Sequence, residues 1–106
     1  MRVLFDQGTP APLRPLLVGH EAVTAYELGW FDLKNGELLA AAETKFDVFI
    51  TTDQNLRYQQ NLSGRNLAIL VLPTTSWPKL QGQAAKILVE LNQMKPGEYR
   101  EFVCLQ

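Results

Sequence analysis

Short apolar runs alternate along this chain with stretches of helical spacing. Val3, Leu4 and Phe5 form a run that stops at Asp6 and is followed by Gly8-Thr9-Pro10, the pattern of a buried strand and a turn. Thr9 is suited to cap a helix with Pro10 in its first turn. Leu13, Leu16 and Leu17 then recur at helical spacing, but Pro15 lacks an N–H, so this helix is expected to be short or kinked. Gly19-His20 breaks it, and 22–26 reads as a second strand. Residues 29–35 read as a loop. Asn35 is then an N-cap for a helix over 36–45, with Glu37 in its first turn and Leu38, Leu39 and Ala42 on its buried face. A third strand over 47–52 ends at Asp53, and 53–65 predicts a short helix and then a loop at Ser63-Gly64. The unbroken apolar run 67–72 predicts a strand buried on both faces. Ser76-Trp77-Pro78 opens the longest predicted helix, about 78–94, with Leu80, Ala84, Ile87, Leu88, Leu91 and Met94 as its stripe. Pro96-Gly97 stops it, and 99–105 reads as a last strand at a sheet edge.

Regular alternation of strand and helix predicts an α/β fold: a three-layer sandwich around a mostly parallel, about five-stranded sheet, with 1–106 forming one domain. Composition agrees with this and removes several classes. Hydrophobic residues make up 46% and charged residues 20%, as in ordinary globular chains. A single Cys excludes an intrachain disulfide. No apolar run approaches the ~18 residues of a membrane span, and the N-terminal run is too short for a secretory signal. A soluble, cytoplasmic domain is the expectation. Ten basic against eleven acidic residues leave a formal charge of −1, so bulk charge alone marks no nucleic-acid binder.

Position changes what the charges mean. Ligands of an open parallel sheet bind beyond the strand carboxyl ends, where strand order reverses. Asp6 and Asp53 each follow a strand, and Glu37 begins the helix that feeds the third strand. If strands one and three are neighbours, these acids share one rim. Three ionised carboxylates persist together only beside a cation, and oxygen-only ligands suit Mg²⁺ or Mn²⁺ rather than zinc. Such an ion activates water and offsets charge on a phosphodiester, so the constellation points to phosphoryl chemistry. Each acid also has a plainer reading. An Asp after a strand is a turn former or cap, and an acid in a first turn favours the helix dipole.

The segments Leu4-Phe5-Asp6-Gln7-Gly8-Thr9-Pro10, Gly19-His20-Glu21, Glu27-Leu28-Gly29-Trp30, Asn35-Gly36-Glu37-Leu38-Leu39 and Thr52-Asp53-Gln54-Asn55 resemble, in order and spacing, the PIN-like family of small predicted bacterial nucleases from toxin–antitoxin systems. Tyr58-Gln59-Gln60-Asn61-Leu62 with Arg65 is similar to one of its subgroups, and the likeness spans residues 2 to about 78. The resemblance implies a Mg²⁺- or Mn²⁺-dependent ribonuclease, a toxin component whose partners are RNA and an antitoxin protein. It assigns Asp6, Glu37 and Asp53 as catalytic and metal-binding acids. The family often has further acids where Gln7, Asn35 and Asn55 stand here, which makes these amides secondary site candidates. Asn55 is suited to orient a metal-bound water or to ligate weakly through its carbonyl. Small PIN domains often pair as homodimers.

Arg57 and Arg65 follow Asp53 closely and are candidate phosphate contacts, with Tyr58 a candidate for stacking on a base. Their alternatives are a solvated helix face for Arg57 and a core position for Tyr58. A cation among the acids would reverse the local field, so a near-neutral chain predicts weak, salt-sensitive, metal-requiring RNA association. Two other readings stay open. The amides at Gln7, Asn35 and Asn55 fit a catalytically degenerate PIN-like module that binds a partner protein. Asp6, Asp53, Thr74/Thr75 and Lys95-Pro96 mimic a receiver domain, although Gln7 stands where receivers carry a second acid. His20 reads as structural, Cys104 as a small buried hydrophobe, and Trp30 and Trp77 as cover for the sheet.

Overall fold

In a computed structural model, which describes residues 1–103 (for Asn35 the backbone only), parallel strands alternate with helices. Strand β1 (Arg2–Phe5) leads through a 3₁₀ helix (Ala11–Leu16) to β2 (Glu21–Thr24). Helix α1 (Asn35–Glu43) precedes β3 (Val48–Thr51), and the single turn α2 (Leu56–Gln59) precedes β4 (Ala68–Val71). Two helices, α3 (Trp77–Gln81) and α4 (Ala84–Gln93), lead to β5 (Tyr99–Glu101). The sheet order is β2-β1-β3-β4-β5, and every neighbouring pair is parallel. No helix among the described residues is long and apolar enough to cross a membrane.

The period-two pattern of the strands divides the core into two layers. Val3, Phe5, Val48, Ile50, Ala68 and Leu70 face one side, where the 3₁₀ helix (Leu13) and α3–α4 (Leu80, Ile87, Leu91) cover them. Leu4, Phe49, Ile69 and Val71 face the other side, under α1 (Leu38, Leu39, Ala42) and α2 (Leu56). The expected three-layer α/β fold is thus present. The apolar run before Pro73 is buried throughout, as a central strand between two helix layers requires.

The β3–α2–β4 and β4–α3–α4–β5 connections step outward in the same direction but cross opposite faces. They are therefore of opposite hand, against the strong right-handed preference of parallel crossovers. Coverage is the physical reason. With α1 and α2 on one face, the other would carry only the short 3₁₀ helix, and α3–α4 bury it instead.

Several boundaries differ from the pattern reading. Pro10, not Thr9, occupies the cap position of the first helix, and Pro15 lies inside this helix, which is a short 3₁₀ helix rather than an α-helix. Leu13 and Leu17 are buried, whereas Leu16 is exposed. Asn35 is the first residue of α1 and Lys34 the cap, without a side-chain capping bond. The expected helix over 78–94 breaks at Gly82-Gln83. There Gln83 N–H donates to Leu80 O (2.9 Å) in a 3₁₀-type bond before α4 restarts. Strand β5 is shorter than the expected 99–105: it stops at Glu101, Phe102 and Val103 follow outside it, and 104–105, with Cys104, lie outside the described residues. Gly97 opens β5 at φ +77°, where an added Cβ would sit 2.7 Å from the Arg65 carbonyl.

Ile50, fully buried on the central strand, gives a direct check of this packing. Ile50→Val should lower the urea-unfolding free energy by about 0.5–1.5 kcal/mol and Ile50→Ala by about 2–5 kcal/mol.

Candidate functional site

The chain leaves β1 toward the 3₁₀ helix on one face and leaves β3 toward α2 on the other. Their carboxyl ends therefore flank the point where strand order reverses, and a crevice opens there. Asp6 continues β1 for one residue, its N–H donating to Ile50 O at 3.2 Å. Its carboxylate is held from two sides. Oδ1 accepts from Thr9 N (3.0 Å) and from Thr9 Oγ1 (2.6 Å), and Oδ2 accepts from Thr51 Oγ1. Thr9 Oγ1 also lies 3.0 Å from Ile50 O, but one hydroxyl carries one hydrogen, and the shorter contact to the carboxylate claims it.

Thr51 links the two acids. Its hydroxyl donates to Asp6 and accepts the Asp53 N–H at 3.0 Å. Asp53 Oδ1 in turn accepts the Asn55 N–H at 2.9 Å, an Asx turn that starts α2. Thr9 and Thr51 are 5% and 1% exposed, and among the described residues they are the two buried polar side chains. From sequence neither is a site residue, and Thr9 reads as a helix cap. The usable signals were the three-residue Asp6–Thr9 spacing of a side-chain turn and the two threonines that interrupt an apolar strand just before Asp53.

The remaining candidates divide. Leu33 and Leu38, around the start of α1, line a cleft of about 220 Å³ together with Asp6, Gln7, Gly8 and Phe31. Glu37 is exposed in that first turn. Asp6 and Asp53 are joined through Thr51, while among the described residues no three His, Cys, Asp or Glu side chains are grouped to hold a metal ion. Asn55 is exposed beside Asp53, and the Asn35 side chain lies outside what the structure describes. Gln7 donates from Nε2 to Phe31 O at 2.8 Å, tying the β2–α1 loop to the Asp6 turn. Gly8 permits close packing there, since an added Cβ would lie 2.5 Å from Thr52 Oγ1.

A second cleft, about 590 Å³, opens on the β2 side of Asp6 between Thr9, Arg14, Tyr26, Glu27 and Thr75. Glu27 accepts from Thr24 N (3.1 Å) and Thr24 Oγ1 (3.0 Å) and pairs with Arg14. The Thr24 hydrogen bonds first, and the Arg14 charge after them, hold its carboxyl below the usual range.

Arg57 and Tyr58 sit on α2, toward β5. The Arg57 guanidinium lies 4.7 Å from the Tyr58 ring centre, donates to Tyr58 Oη at 2.6 Å and stands 3.7 Å from Glu101. Tyr58 is 72% exposed, so the core alternative for it is wrong: α2 is one turn long and buries only Leu56. Tyr99 donates to Glu101 at 3.0 Å, and burial, this bond and the Glu101 charge push its phenol up to about 12. Arg65 does not join this group. It precedes β4, at the strand amino ends, and its guanidinium pairs with Glu43 at 2.8 Å. The sheet thus separates it from Asp6 and Asp53, despite its closeness in sequence. Lys95 lines a cavity at that same amino rim, which removes the receiver-like arrangement of a lysine beside the acids. His20 bonds Asn92 Oδ1 at 2.6 Å, and Trp30 packs edge-on against Phe46 at 6.3 Å, both in structural roles.

Compared with protein-family models, curated proteins and solved structures, the chain gives no match.

Thr51→Val should strand both the Asp6 carboxylate oxygen and the Asp53 N–H. The expected loss is about 1–3 kcal/mol in urea unfolding, with Thr51→Ser recovering most of it.

Proposed function

We propose that this chain is a divalent-cation-dependent endoribonuclease whose centre is the Asp6–Asp53 pair, working in the cytoplasm as the toxin component of a bacterial toxin–antitoxin pair. The observation that carries the reading is the Asp53 N–H to Thr51 to Asp6 hydrogen-bond chain at the switch point, which couples two acids from adjacent parallel strands. The PIN-like resemblance supplies the substrate class, RNA.

The donor chemistry fits Mg²⁺ or Mn²⁺. Both acids offer hard oxygen ligands, and Mg²⁺ is commonly held by one or two carboxylates with waters and a substrate phosphate rather than by a full protein cage. When bound, such an ion lowers the pKa of a water and offsets charge on the phosphate. The protein's own residues do the positioning. Three hydrogen bonds from Thr9 and Thr51 fix the Asp6 carboxylate and leave part of its acceptor capacity unused. Asp53 is oriented by the turn into α2, where Asn55 stands beside it. Glu37 is an exposed third acid at the start of α1, and Arg57 is an exposed cation on α2 for a phosphate.

A second reading, a non-catalytic module that binds a partner protein, is favoured by one observation. The Gln7 amide is committed to the Phe31 carbonyl.

Purified protein incubated with RNA and Mn²⁺ separates the two. On the nuclease reading, Asp6→Asn and Asp53→Asn each slow cleavage by about a hundredfold or more, since even groups one step removed from a metal cost roughly 10–100-fold. Arg65→Ala leaves the rate within about twofold, because it lies beyond the range of strong coupling to the rim. Equal cleavage by wild type and both acid variants would mark a contaminant and remove the reading.

A further inference from the structure

We infer that Tyr26 and Phe31 form a stacking platform for an unpaired nucleobase beside Asp6, an inference that takes its RNA substrate from the reading above. Both rings stand in water although they are large and apolar: Tyr26 is 71% exposed and Phe31 56%. Their centroids are 5.6 Å apart at 38°, so they form one continuous aromatic surface. Phe31 lines the smaller cleft and Tyr26 the larger one, and Asp6 and Gln7 line both. The surface thus adjoins the acid from either side.

The loop holds these rings outward by its backbone. Ala25 N–H continues the strand pairing to Phe5 O (2.8 Å), Gly29 N–H returns to Tyr26 O (3.0 Å), and Trp30 N–H returns to Ala25 O (2.9 Å). Gly29 takes φ +73°, a conformation that favours glycine. Trp30 is thereby turned inward against Phe46, while its neighbour Phe31 is turned out and tethered through its carbonyl by Gln7 at 2.8 Å. A ring fixed in this way loses little conformational freedom when a ligand covers it. Two cations lie near: Lys34 is exposed on the same loop, and Arg14, paired with Glu27, lines the Tyr26 cleft. Flat aromatic faces beside cations are the usual means of holding single-stranded bases, and they tolerate any sequence.

The test measures binding of a short single-stranded RNA carrying 2-aminopurine, with Ca²⁺ in place of Mn²⁺, against an abasic strand of the same length. Wild type should prefer the base-containing strand and quench its fluorescence. Tyr26→Ala and Phe31→Ala should each weaken binding on the order of tenfold. Tyr26→Phe should retain it, and Phe31→Leu, which keeps apolar bulk without a ring, should lose it. Equal affinity for the two strands, or full quenching by the Ala and Leu variants, would overturn the platform and leave the rings to a protein contact. Cleavage in Mn²⁺ is scored separately. Asp6-dependent cleavage without base preference would sink the platform alone, and base-dependent binding without cleavage would sink only the nuclease reading.

Discussion

A buried hydroxyl must find partners or forfeit on the order of 1–3 kcal/mol, and at Thr51 that requirement organises the rim of the sheet. The side chain is 1% exposed, at the end of a strand otherwise made of Val48, Phe49 and Ile50. It meets its need by giving its hydrogen to Asp6 and taking one from Asp53. Two loops that diverge to opposite faces are thereby coupled at their roots. Thr9 acts from the other side, so the Asp6 carboxylate has a set orientation before any ligand arrives.

The sheet makes that coupling possible. β1 and β3 must be adjacent for Thr51 to reach Asp6, and the order β2-β1-β3-β4-β5 provides this. Adjacency depends in turn on burying both faces of central strands whose residues are mostly apolar. The β4-to-β5 connection completes the burial by crossing the face opposite to the preceding connection. Thus an uncommon crossover hand serves the core, and the core holds the rim.

The rim is legible in the sequence to different degrees. Asp6 and Asp53 stand out because each ends an apolar run, and a strand end over a parallel sheet is where ligands meet the fold. Glu37 is legible as a first-turn acid, but whether it approaches the other two depends on the helix entry, which no local pattern encodes. Arg65 illustrates the limit of sequence distance. It follows Asp53 by one short helix and a loop, yet the chain between them travels from one rim of the sheet to the other, and Glu43 takes its charge. Tyr26 falls in the expected strand 22–26 and Phe31 in the expected loop 29–35, and neither placement fixes where a ring points. Only the turn at Gly29 assigns Trp30 inward and its neighbours outward.

By itself the sequence determined the α/β class, the parallel sheet, most of the core and the two strand-end acids. These follow from local periodicity and from the burial that apolar runs demand, and both are properties of short segments. The tertiary structure decided the rest: the hand of the last crossover, the break at Gly82-Gln83, the partners of Asp6, the rim each arginine occupies and the exposure of the loop aromatics. Each of these depends on which segments become neighbours. Adjacency is set by the packing of the whole chain, where a hydroxyl at position 51 and a carboxylate at position 6 satisfy one another across a distance that no local pattern spans.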